Sequence, residues 1–348
     1  MSVSRRLVQE LISDLPLASV NYAFAYGSGA VAQENERMAD KMVDLVLCTK
    51  DPQAFHNENL QLNPAHYSFV KALGPATITR LQQSTAKVYY NTQIRTKTGR
   101  LIKYGVISEQ DLKTDLLDWR WLYIAGRLQK PVVDVIEPTA DIATWIGQNR
   151  LSALQASLLL LPVTFSYTQL FEKIVGLSYK GDFRMIIGED QGKVAKIARG
   201  NAEKLEEVYG PLLQADERVS VQNGNVLQNG VLIEFITVLQ DASTPAIYHR
   251  LNLLPYEVVT RLMLNWNKEH KTMIDAEEVR VLFALARRHD VADHIERTIK
   301  TIVRDSSLKQ TAKNAISAGV LRSIKYSSEK LIKWGKSIQK ANDEKKGE

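Results

Sequence analysis

The sequence predicts an α/β protein with a sheet-bearing first half and a mainly helical second half. Two observations carry that expectation: short apolar segments of strand composition gather in the first 136 residues, and helical spacing of apolar residues dominates the remainder of the chain. The chain has 348 residues, 45% of them hydrophobic and 24% charged. That is the composition of an ordinary globular protein, long enough for two domains, and it excludes collagen-like, disordered and disulfide-scaffold classes. The single cysteine, Cys48, forbids an intramolecular disulfide and a multi-cysteine metal cage, which fits a reducing compartment. No stretch reaches the roughly 20 apolar residues of a membrane span. The best candidate, Leu151 to Val163, is broken by Ser152, Gln155 and Ser157 and meets Pro162.

Residues 1–13 read as a helix, because Arg5 and Arg6 are soon followed by Glu10 and Asp14 and no apolar run of a targeting sequence precedes them. Asn21 to Tyr26 is a short apolar strand that runs into Gly27-Ser28-Gly29. A polar segment, Gln33 to Lys41, leads to a second strand, Met42 to Cys48, with Asp44 inside it. Ala86 to Ile94 and Leu101 to Ser108 form a hairpin across the turn-rich Arg95 to Arg100. Asp111 to Leu128 is helical in pattern and Pro131 closes it. The proline-flanked segment Val132 to Asp141 marks a domain boundary, giving expected units 1–135, 136–305 and 306–348. The second unit is helical except for the strand-rich interval Val219 to Leu239, punctuated by Asn223-Gly224 and Asn229-Gly230.

The net charge of +6 is not spread evenly. From Leu308 to Ala341 there are eight Lys or Arg against one acid, Glu329, whereas the rest of the chain balances to −1. The basic excess therefore points to an anionic partner at the C-terminal end. Taking about 100° per residue, Ile316, Val320, Ile324, Leu331, Trp334 and Ile338 share an arc of about 80°, and Arg322, Lys325, Lys333, Lys336 and Lys340 occupy the opposite arc. Such an amphipathic helix suits an anionic membrane surface, with Trp334 at the headgroup level.

The turn at Gly27 admits three phosphate-site readings. A P-loop is excluded, since no Lys-Ser or Lys-Thr follows the glycines. Gly27, Gly29 and Ala32 satisfy G-x-G-x-x-A, but the acid that would bind a dinucleotide ribose should end its strand, whereas Asp44 is followed by Leu45-Val46-Leu47. The third reading is a nucleotidyltransferase palm, in which backbone N–H groups of a Gly-Ser turn cradle a triphosphate and a strand acid binds Mg²⁺ over the same phosphates. Gly27-Ser28 followed by Asp44 has this layout. The palm usually carries two acids about 7 Å apart on one strand face; here the neighbouring slots hold Met42 and Val46. Asp40 points to the same face but would lie about 13 Å away along a continuous strand, a weak substitute; Glu109, Asp115 and Asp118 are the candidates from elsewhere, each more readily read as surface charge.

Longer blocks carry a resemblance. F-A-Y-G-S-G from Phe24, M-V-D-L-V from Met42, H-Y-S-F from His66, L-G-P from Leu73, L-I-K-Y-G-V-I-S from Leu101, L-Y-I-A-G-R-L-Q-K-P from Leu122 and L-S-Y-K-G-D-F-R-M from Leu177 resemble the mitochondrial phosphatidate cytidylyltransferases, the translocator assembly and maintenance family of the inner membrane. The resemblance runs from about Phe24 to Trp334. It implies a nucleotidyltransferase palm, a helical winged-helix-like second domain, and Mg²⁺-dependent synthesis of CDP-diacylglycerol from CTP and phosphatidate. That product feeds cardiolipin synthesis at the matrix face of the inner membrane, where the enzyme would be peripheral.

Carried over by position, Gly27 and Ser28, flanked by Tyr26 and Gly29, would cradle the triphosphate and Asp44 would hold the metal. The reaction brings two anions together, which gives a reason for the cations in the same blocks. Lys103 is expected at the reacting phosphates, Arg127 and Lys130 at the nucleotide, and Lys180 and Arg184, with Asp182, at phosphatidate. Arg127 and Lys130 have a plainer use as partners of helix-end carbonyls. His66 and Tyr67 read equally as packing. No nucleic acid is expected as a partner. An enzyme acting on RNA ends would share the turn and the acid but predicts a basic groove with stacking aromatics beside the palm. A non-enzymatic assembly factor would explain the missing strand acid.

Overall fold

The chain is a mixed α/β protein. The structure, a computed structural model, describes residues 4–31, 41–185, 192–228, 231–271 and 278–318. Its first half comprises α1 (Arg5–Ile12), β1 (Val20–Tyr26), β2 (Val43–Thr49), α2 (Pro52–Leu62), α3 (Gly74–Gln82), β3 (Val88–Arg95), β4 (Leu101–Ser108), α4 (Glu109–Asp118), α5 (Ala125–Leu128) and β5 (Val133–Ile136). The second half comprises α6 (Ala140–Leu159), β6 (Thr164–Ser166), α7 (Tyr167–Gly176), α8 (Lys193–Gly200), α9 (Ala202–Gln214), β7 (Val219–Gln228), β8 (Val231–Gln240), α10 (Thr244–Asn252), α11 (Tyr256–His270), α12 (Glu278–Ala286) and α13 (Val291–Ala318).

The first half is built on a sheet of order β3-β4-β2-β1-β5. β1 runs antiparallel to β2 and β5, β2 parallel to β4, and β3 antiparallel to β4. Strand alternation divides the apolar side chains between two faces. Ala23, Ala25, Leu45 and Leu47 pack with Val8 and Leu11 of α1 and Phe55 of α2. Tyr22, Phe24, Val46 and Cys48 join a core that continues through α6, α7 and α11 to Ile302 of α13. Asp44 and Lys103 share the parity of this second face, so the helical half roofs the side of the sheet that carries them. The second sheet, of order β6-β8-β7, is a hairpin with one short added strand.

Two expectations need correction. The helical pattern over Asp111 to Leu128 resolves into two helices, because Trp119 and Leu122 adopt left-handed backbone (φ 53° and 48°) and the chain between them wraps a buried carboxylate. Asn223-Gly224 is no turn: it lies inside β7, where Asn223 pairs with Ile236 and Gly224 with Phe235. The segment assigned to the C-terminal unit begins within α13. Gln310 donates to the Val88 carbonyl at 3.0 Å and accepts from Thr85 Oγ1 at 2.7 Å. Lys313 is buried and donates to the Ser84 and Gln82 carbonyls at 2.7 and 3.2 Å, so it is no part of an exposed basic face. Ile316 lies in the last turn of α13. Val320, Ile324, Lys325, Leu331, Lys333, Trp334, Lys336 and Ile338 lie outside the described residues.

Candidate active site

β1 ends at Tyr26 because Gly27 takes φ +74°, a left-handed conformation that costs glycine little. The Gly27 carbonyl then accepts from the N–H groups of Ala30 and Val31 at 3.0 and 2.9 Å, closing a tight turn. Gly29 is required for a different reason: a Cβ there would stand 2.2 Å from the Met42 carbonyl oxygen. The turn is thereby pressed against the start of β2, where Tyr26 pairs with Asp44 and Asp44 with Lys103 of β4. A Cβ on Gly27 would stand 3.6 Å from Asp44 Oδ2, so the carboxylate faces the turn.

Asp44 Oδ1 is buried and accepts no hydrogen bond among the described residues; Lys103 Nζ lies 3.4 Å away. A buried carboxylate oxygen without a donor is costly unless something cationic completes it. Mg²⁺ commonly takes one or two protein carboxylates and fills its remaining positions with water and substrate phosphates. A carboxylate with one oxygen toward the turn and the other without a hydrogen-bond donor among the described residues fits that pattern. Among the described residues no group of three or more His, Cys, Asp and Glu is arranged to hold a metal by itself. Of the alternatives for a second ligand, Glu109 and Asp115 are engaged elsewhere. Glu109 accepts from Asn21. Asp118 ends α4, with Arg120 and Glu257 as its charged neighbours. Asp40 lies outside the described residues.

Asp115 is not surface charge. It is fully buried and accepts from four backbone N–H groups, those of Trp121, Tyr123, Ile124 and Ala125, at 2.7 to 3.1 Å. Burial pushes its carboxyl above the usual range, against the pull of those N–H groups. This carboxylate shapes the loop that presents α5 and, with it, Arg127.

The Arg127 guanidinium is held between two rings, 4.1 Å from the centre of Tyr123 and 5.0 Å from that of Tyr26, and donates to the Tyr123 carbonyl. Its buried Nε has no hydrogen-bond partner among the described residues. Lys103 Nζ stands 4.5 Å from the Tyr90 ring, whose hydroxyl is 3.3 Å from that of Tyr26. Burial alone would raise the Tyr123 hydroxyl, but Arg127, Arg184 and Lys103 outweigh it and lower the pKa. Tyr123 thus reports positive potential from three cations that the chain separates widely. Turn, acid and cations converge on one face of the sheet, an arrangement suited to stabilising charge on phosphoryl groups.

Lys130 donates to the Gly126 carbonyl and to Ser178 Oγ (2.8 Å) and lies 5.1 Å from the Tyr179 ring. Burial, aided by Arg127 and Lys193, pulls its ammonium down to about 7. In the following turn Arg184 Nε reaches both Asp182 oxygens, at 2.9 and 3.1 Å. Asp182 is spent on that fork, and Lys180 pairs with Glu296 of α13. His66 Nδ1 and the Tyr104 hydroxyl are 2.8 Å apart, and Tyr67 is buried between His56 and Asn59, so both belong to a polar network under α2 and α3. Tyr90, Tyr123 and Tyr179, which seat the cations, are absent from the sequence expectation. Their only local signal is position: Tyr123 and Tyr179 fall inside the blocks that contain Arg127 and Lys180.

A family profile described as phosphatidate cytidylyltransferase, mitochondrial, matches residues 8–333. A Caenorhabditis elegans protein of the same description is 54% identical over 331 residues, covering 94% of this chain and 98% of its own. Its counterparts from Xenopus laevis, 40% identical and covering 92% of each chain, and Bos taurus, 41% identical and covering 94% of each, align over nearly the same extent. A solved nucleotidyltransferase-like protein from Exiguobacterium sibiricum aligns with 90% of this chain and 77% of its own at 11% identity and a TM-score of 0.25, too slight to support an argument.

Proposed function

We propose, from the premise that the chain belongs to the mitochondrial phosphatidate cytidylyltransferase family and is a nucleotidyltransferase, that it makes CDP-diacylglycerol from CTP and phosphatidate. A phosphatidate oxygen attacks the α-phosphorus of CTP. One P–O bond forms, the bond to the oxygen bridging the α- and β-phosphorus breaks, and pyrophosphate leaves. A phosphate monoester has a second pKa of about 6, so at neutral pH the nucleophile is already anionic and needs no general base. The difficulty is repulsion between two anions, and the site answers it with fixed positive charge.

The observation that carries the reading is the Asp44 carboxylate, whose Oδ2 faces the Gly27 turn and whose buried Oδ1 has, among the described residues, only the Lys103 ammonium 3.4 Å away and no hydrogen-bond donor, next to the ring-clamped Arg127. Asp44 would hold Mg²⁺, which when bound neutralises and orients the triphosphate. The turn from Tyr26 to Gly29 offers backbone N–H groups to the nucleotide phosphates, Arg127 adds charge at its edge, and Lys130, drawn down to about 7 by burial, adds a partial charge or a neutral donor there. Lys103 is placed to meet developing negative charge on the α-phosphoryl oxygens. Arg184, fixed by Asp182, and Lys180 serve the phosphatidate side.

The product would feed cardiolipin synthesis at the matrix side of the mitochondrial inner membrane. No helix among the described residues is long and apolar enough to cross a membrane. The amphipathic pattern after Ile316 supports peripheral attachment to an anionic surface. Incubation with α-³²P-labelled CTP, Mg²⁺ and phosphatidate vesicles tests the whole reading. Label in a chloroform-soluble product supports it, label in added RNA transfers the reaction to RNA ends, and no transfer leaves a non-enzymatic factor.

A further inference from the structure

At the end of α6 lies a cavity of about 640 Å³ whose lining includes Lys180 and Asp182, already placed on the phosphatidate side, and extends well beyond them. Its apolar wall is Leu160, Leu161, Pro162, Met185 and Val194, and its cationic side carries Lys173, Lys180 and Lys300. The acids nearby are already engaged: Asp182 by Arg184, Glu296 by Lys180, and Glu172 by Arg199 at 3.9 Å. Lys173 and Lys300 make no close ion pair among the described residues, and together with Lys180 they act on the single carboxylate of Glu296, leaving a surplus of positive charge. An apolar wall facing surplus cations fits an amphiphile with an anionic head.

The cavity is joined to the catalytic centre by the residues that line it. The ring of Tyr179, in its wall, faces the ammonium of Lys130, two residues past the end of α5, the helix that carries Arg127. Asp182, also in its wall, holds Arg184. A row of cations thus runs from the cavity to the ring clamp next to Tyr26 and Asp44.

We propose that this cavity seats the glycerol and the first acyl carbons of phosphatidate, with Lys173 and Lys300 drawing in the headgroup. The assignment rests on the reading of the chain as a phosphatidate cytidylyltransferase. A site of this size takes a drug-sized body, so the distal acyl chains remain in the bilayer while the upper part of the lipid is held.

Titration of the full chain with dihexanoyl phosphatidate, followed by calorimetry without CTP, reads the site directly. Wild type binds; Val194→Trp, which fills the cavity, and Lys173→Glu each weaken binding about tenfold, with CTP affinity held within about twofold and Lys173→Arg near wild type. Under turnover the same two variants raise KM for phosphatidate and leave KM for CTP in place. Unchanged lipid binding in both variants, or none in wild type, overturns the assignment. If Val194→Trp also loses CTP binding through misfolding, the charge reversal at Lys173 decides. A chain that binds the lipid through this cavity yet forms no CDP-diacylglycerol removes the catalytic reading alone. An active enzyme indifferent to both variants removes only the cavity.

Discussion

Asp44 is 28% exposed at its side chain, sits near the start of its strand and contributes one ion pair, so its chemistry is separable from folding. Asp44→Asn keeps the shape and removes the charge. We expect CDP-diacylglycerol formation to fall at least about 100-fold with the thermal midpoint nearly unchanged, because a partly exposed pair stabilises little. Retained turnover in that variant would dismiss the carboxylate from the reaction. Ser28→Ala tests the turn separately: KM for CTP should rise several-fold while KM for phosphatidate stays put, and equal loss of both would mean general damage. Gly27, Ser28 and Asp44 are legible in the sequence because a strand end, a left-handed turn and a strand position are local properties. Tyr90 and Tyr123 are not, since the value of an aromatic ring here depends on which distant cation the fold lays over it.

At the level of elements, the loop between α4 and α5 is the clearest case of tertiary structure overriding periodicity. The apolar spacing from Asp111 to Leu128 suits one helix, yet Asp115 gathers four N–H groups and turns the chain back on itself. Asp115→Ala leaves those donors buried without an acceptor, a loss of about 3 kcal/mol or more in denaturant unfolding. It also unseats Arg127, so activity should fall even where the protein is still folded. A fully stable, fully active Asp115→Ala protein would contradict this role for the carboxylate. Helix α13 carries a second buried titratable group. Burial, with Lys87 adding to it and Asp111 opposing, pulls Lys313 down to about 7, below the ordinary lysine value of about 10.4. Between those values the unfolded chain binds a proton that the folded chain does not, so stability rises as pH increases from about 7 to 10. Thermal melting across that range should show a shallower rise in Lys313→Met, with part of the slope kept because Lys130 is displaced in the same direction. An unaltered slope would mean that Lys313 stays charged when docked.

For the whole molecule, the sequence makes plain that the basic excess is concentrated after Leu308, but not where the folded body stops. Amphipathic spacing assigns Ile316 and the residues beyond it to a lipid surface, and nothing in a helical pattern marks the point at which one face changes partner. The structure supplies a landmark. Gln310 and Lys313 anchor α13 to the corner between α3 and β3, at the opposite end of the chain from the residues that form that corner. A chain ending at Ala318 keeps both anchors and loses the amphipathic basic segment. It should turn over dihexanoyl phosphatidate at close to the wild-type rate and lose most of its binding to cardiolipin-containing liposomes, measured by co-sedimentation. A chain ending at Leu308 loses the anchors as well, exposing the Val88 and Ser84 carbonyls and the apolar surface beneath α13, and should be less stable by about 2 kcal/mol or more. Membrane affinity and stability would then fall at two different truncation points. If both vanish together on removal of residues 319–348, the last segment is part of the folded core, and the division between catalytic body and lipid-binding tail has to be abandoned.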